Sequence, residues 1–322
     1  MPVDVTAFTG MARAEFAAGK LAADNKPLPA AYESFTSVIP STTKVETYAY
    51  MSNIPRLAEF KGYNPAVGLV DSTYTVTNKE YRVGPVKVRK TDLDDDQTGF
   101  YQKSINSLPQ RAQRDMGHLA LEFLAAGTTN TCFDGTAFFA NSHTVGSGDN
   151  LDTANYASND AVTHKVIALI TDNSAMKPLL FQDRESLSGL ETDAGTPQAS
   201  LAKEYLYWSD CRFGLGYGFW WDAYHVTITD TPTVAECYEL IRQIITGFRT
   251  FTLPKGKDTD STLYVHEGWV PNAPNFKLLC NLKLAELLRT AVEISQYTTS
   301  TGNVDNVYKG VAEVIPTSAL GA

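Results

Sequence analysis

From Ile105 to Leu124 apolar residues return every three or four positions, at Ile105, Leu108, Ala112, Met116, Leu119, Ala120, Phe123 and Leu124. That spacing predicts one helix with a continuous apolar face. Asp94-Asp95-Asp96 puts negative charge where the helix dipole favours it, and Gly127 supplies a stop. A helix of about 30 residues would be about 45 Å long at 1.5 Å per residue, a rod uncommon in compact enzyme domains. Pro109 lies inside the run and predicts a kink or an early break.

The segment before the rod is of another kind. Residues 42–90 open with Val45, Tyr48 and Tyr50 and close with period-two alternation through Tyr74–Thr77, Tyr81–Val83 and Val86–Arg89. Phe60-Lys-Gly-Tyr-Asn-Pro65 between them is a turn-rich tip. The pattern predicts a long two-stranded excursion, and a lone hairpin needs a partner surface to be stable. Residues 42–90 carry a net +4, whereas residues 91–322 carry −12 of the chain's total of −9. A basic ribbon on an acidic body suggests docking onto another copy of the same body. On this reading Arg56, Lys61, Lys79, Arg82, Lys87 and Arg89 make the inter-subunit contact.

Other classes are excluded or lack a motif. An acidic total argues against a dedicated nucleic-acid binder. Uncharged apolar runs such as Val166–Ile170 fall far short of the roughly 20 residues of a spanning helix. Met1–Phe16 has no secretory pattern, so the chain is expected to stay in the cytoplasm. Cys132, Cys211, Cys237 and Cys280 are scattered singly, which signals neither a zinc finger nor a disulfide framework. Asp92-x-Asp94-x-Asp96 begins like a calcium loop, but Gln97 and Lys103 stand where Gly and Glu are needed. Gly214-Leu-Gly216-Tyr-Gly218 continues as strand, so its glycines are expected to let a neighbour approach closely. Trp208, Trp220, Trp221 and Trp269 are expected mainly in the core. Cys132, Asp134 and His143 contain the types for a thiol nucleophile with a base, so a cytoplasmic hydrolase using Cys132/His143 is one reading. No nucleophile motif surrounds that cysteine. No catalytic, cofactor or metal residue is otherwise assigned.

The remaining pattern is mixed. Ala12–Ala23 predicts an Ala-rich helix in an arm that is ordered only against something else. Asn159 with Val162, Val166, Leu169 and Ile170 predicts a second helix, as does Asn275–Arg289. Thr262–Val265 and Val311–Ile315 predict strands, and Ala137–Ala140 a short strand piece. Thr233-x-x-Glu236 is a capping box that opens an amphipathic helix with Cys237, Leu240, Ile241, Ile244, Ile245 and Phe248 inward. Strands and helices mix without βαβ regularity, which favours an α+β fold.

Several stretches resemble one family. Val88–Tyr101 is similar to the segment entering the spine helix of Mu-like major head subunits. Cys132–His143 resembles the family's stretch after that helix, and Lys177–Gln182 and Gly216–Tyr224 resemble its later strands. The resemblance implies the HK97-type fold of tailed-bacteriophage major capsid proteins. Its parts would be an N-terminal arm at 1–41, an E-loop hairpin at 42–91, a P-domain with the spine helix at 92–158, an A-domain at 159–300, and a strand returning to the P-domain at 301–322. It implies a non-enzymatic subunit of an icosahedral shell, built with other copies as hexamers and pentamers. Scaffold, portal and decoration proteins would be partners, and DNA would be enclosed without sequence-specific binding. The protein would belong to the virion and be assembled in the host bacterial cytoplasm. An encapsulin-like compartment shell is the same-fold alternative. No cofactor is implied.

Overall fold

The computed structural model describes residues 5–25, 31–51, 71–94, 100–143, 154–158, 164–171, 176–251, 276–299 and 302–321. In chain order the elements begin with α1 (Val5–Asn25), α2 (Ala31–Phe35), β1 (Thr36–Pro40), β2 (Val45–Met51), β3 (Asp71–Thr77) and β4 (Lys79–Arg89). Next come α3 (Lys90–Asp94), α4 (Phe100–Ala125), β5 (Tyr156–Ala157), β6 (His164–Ile170), β7 (Leu179–Glu185) and β8 (Glu191–Thr192). Then follow α5 (Pro197–Ala202), β9 (Glu204–Tyr217), β10 (Ala223–Ile228) and α6 (Val234–Thr250). The chain ends with β11 (Phe276–Cys280), α7 (Ala285–Glu293), β12 (Gln296–Thr299), β13 (Gly302–Asp305) and β14 (Ala312–Pro316).

Two five-stranded sheets carry the fold of the described residues. The first runs β1-β7-β9-β4, with β8 also on β9, and the second runs β14-β11-β6-β10-β5. Apolar side chains of α1 and α4 cluster with the first sheet, and those of α6 and α7 with the second. A third cluster joins the sheets through Leu124, Phe138, Phe139, Tyr217 and Trp220. The Thr233/Glu236 capping box is present at α6, whose buried residues include all six named from sequence.

Where helix was expected at Val162–Ile170, the described residues form strand β6. Val166, Ala168 and Ile170 join the cluster with α6 and α7, while Ile167 and Leu169 face the joining cluster. A central strand covered on both faces is apolar at every position and loses the period-two signature. The same cause corrects the helix expected at Asn275–Arg289, where Phe276–Cys280 form strand β11 and the shorter α7 starts only at Ala285. Ala137–Ala140 forms an isolated bridge to Thr131 and turns, not a strand. Thr262–Val265 lies outside the described residues, as do Asn159 and Val162.

Pro109 does not end α4, which spans 26 residues. The proline is buried where α1 crosses, beside Gly19. The arm helix therefore lies on the chain's own body: Phe8, Ala12 and Phe16 are buried with Ile105, Ala112 and Tyr207. Lys20 Nζ donates to the Leu187 carbonyl at 2.6 Å, and Asn106 Nδ2 to the Glu15 carboxylate at 2.9 Å. A Cβ on Gly19 would overlap the Asn106 carbonyl oxygen and touch the Pro109 ring. Gly19→Val is expected to lift α1 off α4 and cost about 1–3 kcal/mol. Urea denaturation, with faster proteolysis after the arm's basic residues, would register it; an unchanged midpoint would refute the crossing.

The basic stretch divides between two structures. Strands β2 and β3 pair as an antiparallel ribbon, Val45 opposite Thr77 through Met51 opposite Asp71. Strand β4 instead pairs along its length with β9, Lys79 opposite Phe213 through Arg89 opposite Glu204. The ribbon and its connection, residues 45–77, hold two basic and three acidic groups. The positive charge sits on β4, with four basic groups and Glu80, inside the body sheet. Likewise residues 179–217 contribute β7, β8 and β9 to the sheet beneath α4, and β14 pairs in parallel with β11 in the other sheet.

Candidate assembly surface and the buried polar knot

The ribbon is fastened at its root by polar side chains. Ser41 Oγ donates to Glu46 Oε1 at 2.9 Å and accepts from Asn78 Nδ2 at 2.9 Å and Gln182 Nε2 at 3.2 Å. Glu46 also accepts the Thr42 and Thr43 amides, and these donors, that of Thr43 foremost, hold its carboxyl below the usual range. Tyr48 donates its hydroxyl to Gln182 Oε1 at 2.9 Å, and Tyr74 accepts the Tyr217 amide at 3.3 Å. Val76 is buried over Gly214 and Gly216 of β9, which shows the close approach expected of those glycines. The ribbon's opposite face is uncovered: Val45, Thr47, Ala49, Thr73, Thr75 and Thr77 are all exposed.

The basic residues of β4 have acidic partners on their own chain. Arg82 binds Asp210 through two hydrogen bonds, at 2.6 and 2.8 Å, and lies over the Trp208 ring. Lys87 and Arg89 share Glu204 at 2.9 and 3.3 Å. Those cations hold the Asp210 and Glu204 carboxyls below their ordinary range. Lys79 is exposed and forms no ion pair among the described residues. Arg56 and Lys61 lie outside the described residues. The acidic triplet is divided too: Asp92 and Asp94 sit in α3 and Asp96 is not described.

After α4 the chain turns back through a buried knot. Asp134 stands at its centre, accepting from the Cys132 thiol at 3.0 Å and the Thr136 amide at 2.9 Å, with His143 Nδ1 at 2.6 Å. Burial pushes the Asp134 carboxyl up, but His143 and Cys132 pull it below its ordinary value on balance. Asn155 holds the other side of the ring, its Oδ1 3.0 Å from His143 Nε2, while its Nδ2 donates to the Phe138 and Trp220 carbonyls. The imidazole stacks on Trp220 at 4.1 Å between centroids.

This arrangement does not make a thiol–imidazole dyad. The thiol points to the carboxylate, both imidazole nitrogens are engaged, and Cys132 and His143 are only 4% and 0% exposed. Burial, then the Asp134 charge, pushes the thiol far above its ordinary range, the reverse of nucleophile activation. Cys211, Cys237 and Cys280 are buried free thiols as well. His118 is exposed beside Glu122, His164 contacts Asn281 and Asp230, and His266 is not described. Trp220 is buried and Trp221 half-buried in the core, Trp208 faces Arg82, and Trp269 is not described. Asn155 was not singled out in sequence, because a lone asparagine before Tyr156 carries no local signal of the turns it closes.

Tyr217 joins this region to the rod. Its hydroxyl donates to the Phe123 carbonyl at 2.5 Å and accepts from Asn130 Nδ2 at 3.2 Å. Tyr217→Phe leaves both groups without that partner and is expected to cost about 1–3 kcal/mol. Thermal melts of the subunit would measure it, and a melting temperature equal to wild type would contradict the bond's role.

Comparison with known proteins gives a consistent result. The family model described as "Mu-like prophage major head subunit gpT" matches residues 6–320. The Mu-like prophage FluMu major head subunit of Haemophilus influenzae is 30% identical over 207 residues, covering 62% of this chain and 66% of that protein. The major capsid protein of Escherichia phage Mu is 28% identical over 198 residues, covering 60% and 65%. The chain thus spans slightly less than two thirds of these curated relatives. Among solved structures, the bacteriophage JBD30 capsid matches with a TM-score of 0.74 at 20% identity, covering 90% of this chain and 91% of that one. The JBD30 procapsid matches with 0.73 at 24% identity, over 99% and 100%. At these identities the likeness shows a shared fold.

Proposed function

The chain belongs to the family of Mu-like prophage major head subunits, and from that premise we propose that it is the structural subunit of an icosahedral phage shell, assembled from copies of itself around double-stranded DNA. Its α+β fold is of the HK97 capsid type. The observation that carries the reading is the β2–β3 ribbon, fixed at its root by Ser41, Glu46, Asn78 and Gln182, with Tyr74 and Val76 of one face turned to β9 and the other face uncovered. A ribbon with an ordered root and one uncovered face is a lever, and the packing partner for that face would lie on another molecule.

In this assignment residues 1–41 are the arm, the ribbon is the E-loop, α4 is the spine helix, and α6 and α7 with the second sheet form the A-domain. Arg56, Lys61 and Lys79 are the E-loop-side cations left to reach acidic groups of an adjacent subunit. Arg82, Lys87 and Arg89 serve mainly to hold β4 on β9. Hexamers and pentamers of the chain, with scaffold, portal and decoration proteins, would complete the particle in the host cytoplasm. One JBD30 capsid structure is decorated with minor capsid protein trimers, which supports a decorated outer face here. An acidic wall would repel packaged phosphate, so DNA is contained without sequence-specific binding.

Sedimentation and electron microscopy of the full chain, expressed alone and with the other head proteins of its prophage, test this. Large hollow particles are expected. A small oligomer under both conditions would refute the assignment.

A further inference from the structure

One ligand atom each from Cys132, Asp134 and His143 lies within 4.8 Å of the others, and we propose that these three side chains bind a zinc ion.

The argument starts from Asn155. Its Nδ2 is committed to the Phe138 and Trp220 carbonyls, so its Oδ1 faces the Ala140 amide and His143 Nε2 as an acceptor. The hydrogen of a neutral His143 ring is therefore on Nε2, and Nδ1 presents its lone pair to Asp134 Oδ2 at 2.6 Å. Two acceptors at that distance need a cation between them. At 2.6 Å that cation is a proton. A zinc ion, bound at about 2.0 Å to each atom, would take its place with the two atoms moving to roughly 3.2–3.5 Å apart. The Cys132 sulfur stands on the remaining oxygen of the same carboxylate. Sulfur, nitrogen and oxygen donors together match zinc, whereas magnesium and calcium take oxygen alone. A histidine ligand whose other nitrogen donates to a fixed carbonyl oxygen is the usual outer-sphere arrangement at such ions.

Charge also balances. Zinc would replace the thiol proton and the proton between His143 and Asp134, leaving a thiolate, a carboxylate and a neutral imidazole around a divalent ion. Two protons would leave for each ion bound. The site ties the turn leaving α4 to Asn155 and Trp220, within the cluster that joins the two sheets, so the ion would act as a structural staple. Spacing could not reveal it, because Asp134 and His143 are nine residues apart and match no finger pattern.

Elemental analysis of the full chain, purified without chelator, is expected to find about one zinc per chain. Returning zinc to chelator-treated protein should release two protons per ion. Cobalt in place of zinc should give a sulfur-to-cobalt charge-transfer band that Cys132→Ser abolishes, while Cys280→Ala keeps it. A metal-free chain that takes up neither zinc nor cobalt at neutral pH would overturn the proposal, as would full zinc content in a folded Cys132→Ser variant. Should Cys132→Ser fail to fold, the Cys280→Ala chain decides: a band supports the site, and no band overturns it.

Discussion

Gly216→Val is expected to yield a folded subunit that forms at least about tenfold fewer particles. A Cβ at Gly216 would stand 2.6 Å from Val76 Cγ2 and 3.1 Å from the Tyr74 ring. Contacts under 3 Å must be relieved by movement, and β3 is the element free to move: among the described residues its one partner strand is β2. Strand β9 is held between β7 and β4 and cannot retreat. Overpacking of this kind costs about 1–3 kcal/mol, which a chain of this size survives. The strain instead breaks the Tyr74–Tyr217 hydrogen bond at 3.3 Å and tilts the ribbon away from its fixed direction. Because each subunit in a closed shell repeats the same contact, a small angular error at the root recurs at every interface. Circular dichroism and melting of the variant subunit, set beside particle yield in sedimentation, separate the two effects. Normal particles from a variant with valine at 216 would show that the ribbon's direction does not govern assembly. Gly214→Ala, where the nearest side-chain atom is Val76 Cγ1 at 2.9 Å, should give a milder defect of the same kind.

What could be read before the structure follows from how locally each feature is encoded. The capping box at Thr233 and Glu236 and the apolar stripe of α4 are complete within a few turns, and both stand as expected. The close approach at Gly214 and Gly216 was legible because glycines two apart on a strand share one face. Strand β4 was misassigned to the ribbon for a definite reason. The alternation of Tyr81, Val83 and Val88 is the same whether the partner strand is the preceding one or β9, some 130 residues away. Charge followed that boundary, so the +4 credited to a free hairpin belongs largely to β4, where Asp210 and Glu204 meet it. Strand β6 was illegible because burial on both faces erases its period. In the knot, Cys132-x-Asp134 is local, but the contribution of Asn155 depends on the turns at Phe138 and Trp220 that bring it inward.

His225 should make the subunit lose stability as pH falls from about 6.5 to about 4. The residue sits in β10, opposite Ile167 on one side and Tyr156 on the other. Its ring packs against Phe139 and Tyr156, and neither nitrogen has a hydrogen-bond partner among the described residues. Burial foremost, then the charge of Lys165, lowers its pKa from 6.5 to about 4. A folded pKa below the unfolded one means that the folded chain binds fewer protons in that window. Stability is then fully present above about 6.5, declines as the unfolded chain takes up its proton, and levels off below about 4. A shift of this size corresponds to about 3 kcal/mol. That is a large part of the 5–15 kcal/mol typical of a folded domain. The Asp134 carboxyl, held below its ordinary value, adds a separate loss that sets in only as pH falls through the carboxylate range. His225→Leu keeps an apolar side chain of similar reach and removes the titration. Urea denaturation of the unassembled subunit at several pH values between 7.5 and 4 should therefore give a curve that falls for the wild type and is flatter by about 3 kcal/mol for the variant. Parallel curves would mean that the imidazole is protonated in the folded chain, and hence that water or a shift of β10 reaches a ring this structure seals between two aromatic faces.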